Sequence, residues 1–298
     1  MSTKTCHTML FSGLLAALPI AATAGERVDE SRVAASTGVV EIHNTRGEID
    51  IRGWDKDQVE ITGELDELAE ELIFDVDGEF TMIRVKMPRR NISWGDGSDL
   101  EIRVPVKSRV DFNGVSTDVT LSNIEGGSSI RSVSGDIRAD NIDQRLLINS
   151  VSGEVEVTDA SGKAKITSVS GDLRLDLSCT EVSVNAVSGE VDLDLEAFDS
   201  LSASTVSGEL DISGRLNDSG NISMNSVSGD IGLRLASPIN ARIDVNAGPG
   251  GDIDNGMTQD EPRDIFPAQM QLKTSAGDAS GTIRIKTVTG DINLDSGG

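Results

Sequence analysis

The amino-acid sequence predicts an all-β fold: a single-stranded parallel β-solenoid, of the β-helix or β-roll kind, with coils of about 18 residues and an N-terminal β-rich insertion or cap. Three observations carry this. The tetrapeptide V-S-G-[DE] recurs at residues 133–136, 151–154, 169–172, 187–190, 206–209 and 227–230, with successive valines 18, 18, 18, 19 and 21 residues apart. Apolar and polar residues alternate on both sides of each tetrapeptide. The position five residues after each valine runs Arg138, Glu156, Arg174, Asp192, alternating in sign.

The alternation defines two strands per unit. Leu146 and Ile148 precede Val151, and Val155 and Val157 follow it; the other units match. Period two on both sides of a turn means two half-buried strands. The Ser-Gly corner fits, because glycine adopts positive φ without strain. No proline interrupts residues 106–237, as strands paired on both edges require. A meander would leave an 18-residue identity without meaning. In a stack of coils, equivalent residues lie above one another at about 4.8 Å, and the alternating charges become favourable neighbours.

A degenerate copy, Val115-Ser116-Thr117-Asp118, lies one period upstream, and Val288-Thr289-Gly290-Asp291 closes the chain. Residues 40–51 carry the same apolar spacing and a Gly47-Glu48 corner, so a first coil is expected there, with 53–105 as insertion or cap. Within it Leu65, Leu68, Ala69, Leu72 and Ile73 are spaced as a short amphipathic helix, and Asp77-Gly78 reads as a hairpin turn. Residues 247–268, rich in Gly, Pro and Asp, read as a long loop before final coils at Leu272 and Ile283.

The N-terminus has the three parts of a secretory signal: Lys4, an apolar stretch over 9–20 too short to span a bilayer, and Ala22-Thr23-Ala24. The expected organisation is therefore a signal peptide over 1–24, an N-terminal β region with first coil and cap over 25–106, and the repeat over 107–298. That predicts a periplasmic or secreted location with no transmembrane segment after cleavage. Cys179 is then the lone cysteine, so packing and not a disulfide must stabilise the fold; its expected role is a small apolar filler.

Charge excludes some partners. Of the 26 Lys and Arg only Lys4 lies in 1–24, leaving 25 basic residues against 50 acidic ones. Nucleic acid needs clustered cations and is excluded as a partner; anionic lipid is disfavoured likewise. Aromatics make up 3% of the chain and Tyr is absent, so few rings are available to stack on sugars.

The leading site candidates are the corner acids Asp118, Asp136, Glu154, Asp172, Glu190, Glu209, Asp230 and Asp291. Two unit charges about 5 Å apart in water repel by only about 1 kcal/mol, so a solvated column is tolerable without a cation. Turn chemistry, with carboxylates accepting turn amides, is the plain reading. Calcium binding is the alternative, weakened by mixed Asp and Glu and by the lack of a glycine-rich nonapeptide. No cofactor and no catalytic residue is expected: a nucleophilic serine lacks a base, since His43 is the sole histidine past residue 24 and no G-x-S-x-G occurs. Trp54 is expected to pack on the first coil. Trp94, in a loop-like setting, is a possible partner contact.

Gly47-Glu48-Ile49-Asp50-Ile51-Arg52-Gly53-Trp54-Asp55, then Leu100-Glu101-Ile102-Arg103-Val104-Pro105, then serial V-S-G-[DE] units together resemble the bacterial domain-of-unknown-function family labelled "putative adhesin". The resemblance implies a β-solenoid-like fold on an exported protein and carries no catalytic residues with it. The expected function is a non-catalytic envelope protein, an adhesin-like scaffold or binding surface for an envelope protein or surface glycan. A cation-dependent β-roll and a polysaccharide-active β-helix enzyme remain the alternatives.

Overall fold

The structure, a computed structural model, describes residues 25–88 and 95–297. All regular structure among them is β. The N-terminal end holds β1 (Arg27–Val33), β2 (Val39–Trp54), β3 (Gln58–Glu64), β4 (Glu71–Asp77), β5 (Phe80–Lys86) and β6 (Ser98–Pro105). The repeat comprises β7 (Arg109–Ile124), β8 (Ser128–Ser132), β9 (Ile137–Ile142), β10 (Arg145–Ser150), β11 (Val155–Ser168), β12 (Leu173–Ala186), β13 (Val191–Thr205), β14 (Leu210–Ser228) and β15 (Ile231–Ala236). The chain ends with β16 (Ala241–Ala247), β17 (Ile253–Asn255), β18 (Arg263–Ile265), β19 (Gln269–Ala276), β20 (Gly281–Thr289) and β21 (Ile292–Gly297).

Every pairing within the repeat is parallel. Leu146 and Ile148 pair with Ala164 and Ile166, which pair with Val182 and Val184. On the opposite face Ile137 pairs with Val155, Val155 with Leu173 and Leu173 with Val191. Each V-S-G-acid corner therefore rests on the corresponding corner of the neighbouring coil and is not a hairpin tip. β7 and β11 each run through a corner and serve both faces, so the pairings β7–β8–β10–β11–β9 close into a five-strand parallel ring.

Period two explains the core. The columns five and three residues before each valine, and four and six after it, point inward and are buried along the whole stack. Phe112 and Phe198 are the largest side chains in it. The residue just before the valine keeps this phase, so Ser132, Ser150 and Ser168 are buried while the valine itself turns outward. A second corner on the opposite edge uses Asn123, Asn141 and Asp159, 18 residues apart, at φ of 57°, 54° and 53°. Asn and Asp tolerate this left-handed conformation best after glycine. Asn141 Nδ2 also donates to Asn123 Oδ1 at 2.8 Å, tying the coils together.

The two ends depart from a simple winding. β2 is the expected first coil: Val40 pairs with Val110 and Glu48 with Asp118. Its other edge is covered by β5 and β6, both parallel to it, so these two strands lie outside the first coil although they follow it in sequence. Antiparallel strands finish this end, β4 on β5, and β3 on β6 with β1 beyond. Arg32 of β1 lies over the Phe74 ring of β4 at 4.8 Å. At the other end β20 and β21 slide between the β14–β15 coil and a further coil of β16 and β17. β19 then pairs antiparallel with β16, and β18 with β19. Free parallel edges invite further pairing, and these antiparallel strands cover them.

Three expectations need correction. The helical spacing of 65–73 yields no helix: a single turn closes at Asp66–Ala69 (Ala69 N–H to Asp66 O, 2.8 Å), and Leu72 and Ile73 enter β4, where the edge of β5 supplies partners. The hairpin between β4 and β5 turns through Gly78 and Glu79, with Asp77 already paired to Phe80. Residues 247–268 are not one loop, since β17 and β18 lie within them, and Leu272 belongs to an antiparallel capping strand, whereas Ile283 sits in a true coil. Among the described residues no helix is long and apolar enough to cross a membrane.

Candidate functional site

The corner edge is the most repeated surface of the molecule, and each of its four positions has a distinct job. The outward valine, from Val115 to Val227 and on to Val288, is 44–55% exposed at every rung. The serine is occupied structurally: Ser134 Oγ donates to Val115 O (3.2 Å), and Ser152, Ser170 and Ser188 repeat the bond to Val133, Val151 and Val169. The glycine permits close approach; a Cβ on Gly171 would stand 2.2 Å from the carbonyl oxygen of Gly153.

The acid column divides by side-chain length. Asp118 Oδ1 accepts the backbone N–H of Asp136 (2.8 Å), Asp136 that of Glu154 (3.0 Å), Asp172 that of Glu190 (3.1 Å), and Asp230 that of Asp291 (2.8 Å). Asp291 in turn accepts the N–H of Asp252 at 2.8 Å. An aspartate thus reaches one rung along the stack and anchors it. The glutamates, one methylene longer, do otherwise: Glu154 meets Arg174, and Glu190 and Glu209 are exposed. Among the described residues no three His, Cys, Asp or Glu side chains are grouped so as to hold a metal ion. In the sign-alternating column Arg138 reaches Glu156 at 3.4 Å, while Arg174 has turned to the corner and left Asp192 aside. Such exposed pairs each contribute under about 1 kcal/mol.

Like charges accumulate where the alternation ends. Asp211, then desolvation, Glu190 and Asp230, hold the Glu209 carboxyl above the usual glutamate range. Beside it, Gly232 stands between Asp211 and Asn293 in its column and, having no side chain, opens a shallow depression of about 590 Å³ lined by Asp192, Asp194, Asp211, Asp254, Asp295 and one cation, Arg234. An acid whose folded pKa is raised destabilises the fold once ionised, fully above that pKa and not at all below the unfolded value. Glu209→Gln is therefore expected to raise Tm at pH 7 by a small amount, about 1 °C given its exposure, with the gain vanishing below about pH 4. Paired melts across that range check this; a lower Tm at pH 7 refutes it.

The remaining candidates are structural. His43 Nε2 lies 2.6 Å from Glu41 Oε1 on the outer face of β2. Cys179 is fully buried, with Sγ 3.3 Å from Ala160 O, and burial pushes its thiol up to about 11. Trp54 donates from Nε1 to Gln58 O (2.8 Å), and its ring carries Lys56 Nζ at 4.3 Å. Trp94 and residues 1–24 lie outside the described residues. Sequence reasoning missed the Arg46–Asp66 ion pair, in which Asp66 has no exposed side-chain surface and Arg46 Nη2 lies 2.9 Å from Oδ1. Two charged residues 20 positions apart give no periodic signal.

With this geometry in hand, the family comparison is decisive: the model of the Toastrack DUF4097 family matches residues 39–295, from the first coil through the last. The chain belongs to the Toastrack DUF4097 family. The match begins at β2, so the Toastrack unit includes the N-terminal coil and cap as well as the V-S-G repeat. Two crystal structures share the fold. A putative adhesin from Parabacteroides distasonis superposes with a TM-score of 0.52 at 13% identity, covering 92% of this chain and 98% of that one. A putative adhesin from Parabacteroides merdae gives 0.51 at 12% identity, covering 92% and 97%. No curated protein matches the Toastrack chain in sequence.

Proposed function

We propose that this Toastrack chain is a non-catalytic, exported envelope protein: a rigid β-solenoid whose long repeated faces act as scaffold and binding surface for an envelope protein or surface glycan. The observation that carries the reading is the repetition of the surface itself. Outward columns recur coil after coil, the corner serines are tied to backbone carbonyls, and His43 faces a carboxylate and not a nucleophile. A long face of identical rungs offers many equal contacts, which suits adhesion better than a unique reacting centre. Export is supported by the signal pattern over 1–24 and by acidity that keeps copies apart. Relatives named putative adhesins of the same fold agree with this direction.

The test is photo-crosslinking of the exported protein in intact envelopes, with probes placed along either face. Recovery of one protein or glycan crosslinked from several coils is expected; the absence of any product from all probe positions overturns the reading. The same purified protein is expected to keep its Tm within about 1 °C between excess chelator and millimolar calcium, because its corner aspartates are already bonded to amides. A calcium-dependent rise of many degrees would instead make the chain a cation-dependent stack.

A further inference from the structure

The exposed valine of every rung is unexplained by folding. Its neighbours two residues earlier vary freely, as Asn149, Thr167, Asn185 and Ser204, yet valine persists at every rung from Val115 to Val288, including those where the spacing stretches to 19 and 21, and only the first coil has a threonine, Thr45, at the matching position. Threonine would serve an extended backbone equally well without exposing methyl groups. Stacked through parallel pairings from Val115 to Val288, the valines form one unbroken apolar line about 34 Å long, at about 4.8 Å per coil. Three residues away in each rung runs the acid column, parallel to it.

We propose that this corner edge is a docking strip for a cationic amphipathic segment of another protein. The inference rests on reading the chain as a binding scaffold and names the surface and the chemistry of its partner. Charge chooses the occupant. Two copies meeting edge to edge would set acid columns against each other, and an anionic bilayer would be repelled in the same way. A segment with an apolar stripe flanked by Lys or Arg satisfies both columns together. Geometry favours a helix: its pitch of about 5.4 Å drifts by only about 3 Å against five coils, so one apolar side chain per turn can meet one valine per coil. Glu190 and Glu209, which anchor no amide of the next coil and are exposed, are the acids available to such a partner, whereas Glu154 is already met by Arg174.

The experiment titrates the full chain lacking residues 1–24 with a fluorescent amphipathic Lys/Leu helical peptide of about 18 residues, read by anisotropy. Controls are a scrambled peptide of the same composition and a Glu/Leu counterpart. The parent is expected to bind the Lys/Leu peptide alone. Val151→Thr, Val169→Thr and Val187→Thr combined should weaken it about tenfold with an unchanged Tm. Glu190→Gln and Glu209→Gln combined should weaken it severalfold and flatten its salt dependence. Equal binding of the scrambled peptide, indifference to the valine triple, or loss in that triple of self-association or of binding to phosphatidylglycerol vesicles overturns the proposal. If the valine triple still crosslinks the parent's envelope partners, the strip fails while the scaffold reading stands; if the parent crosslinks nothing, the scaffold reading fails first.

Discussion

Gly171→Ala is expected to destabilise the protein by about 3–5 kcal/mol, whereas the same change at Gly78 costs about 1 kcal/mol. Both glycines have positive φ, +112° at Gly171 and +60° at Gly78. At Gly78 a methyl group meets nothing within 4 Å, so only the backbone preference is lost. At Gly171 the methyl group would lie 2.2 Å from Gly153 O and 2.9 Å from its carbonyl carbon, and both belong to a backbone fixed on either side by bonds from Ser170 N–H to Val151 O (2.9 Å) and from Val155 N–H to Asp172 O (3.0 Å). The rungs must separate there, and Gly189 stands on Gly171 in the same way. Local strain of about 1–3 kcal/mol thus adds to an overpacking cost of similar size. Urea denaturation of the two variants decides the matter. Equal losses would mean that the corner glycines supply turn conformation alone and that the coils are not locked by close approach.

That lock is legible in the amino-acid sequence because it is periodic. The V-S-G-[DE] spacing, the inward columns around Val151 and the Gly47-Glu48 corner each follow from one-dimensional repetition, and stacking turns repetition in sequence into contact in space. The family resemblance has the same source. What is not legible lies where contacts are not periodic. Nothing local tells β20 to insert between β14 and β16, because that order depends on which open edge is left to cover. Leu65, Leu68 and Leu72 have helical spacing, but an isolated helix of nine residues is marginal, and the edge of β5 offers seven residues of pairing instead. The second corner is readable in principle: Asn123, Asn141 and Asp159 keep the 18-residue period and are residue types suited to positive φ.

The corner edge shows why the chemistry is harder to read than the fold. An acid that caps an amide and an acid that faces solvent look alike in a V-S-G-[DE] pattern; one methylene separates them. Once the rungs are stacked, Asp118, Asp136, Asp172 and Asp230 are spoken for by backbone N–H groups, while Glu154, Glu190 and Glu209 are left to side-chain partners and solvent. The column that suggests a cation site is thus half structural clamp, and the valine beside it becomes the feature in need of an explanation.

Asp66→Asn should have the second large effect, a loss of about 3 kcal/mol at neutral pH concentrated at the N-terminal end. Asp66 is buried beside Arg46; its carboxylate also accepts the Leu68 N–H at 2.8 Å and its own N–H donates to Ser98 Oγ (3.0 Å), so it joins β2, the turn after β3, and the start of β6. Asparagine keeps the shape but removes the carboxylate charge nearest to a guanidinium with little exposed surface. The hydrogen bond from Arg46 holds the Asp66 carboxyl below the usual aspartate range, and the backbone bond from Leu68 adds to this against the opposing pull of burial. With the folded pKa depressed, this stabilisation is present in full above the unfolded value of about 3.9 and is lost as pH falls through the folded one. Parent and variant should therefore differ by a constant amount from pH 7 down to about 5 and converge in stronger acid. Because a stacked fold transmits little beyond its neighbouring coil, hydrogen exchange should quicken in β1, β3 and β6 while β10 to β13 keep their protection. Uniform loss across the stack, or a difference undiminished in strong acid, would show that the ion pair is not what holds the cap in place.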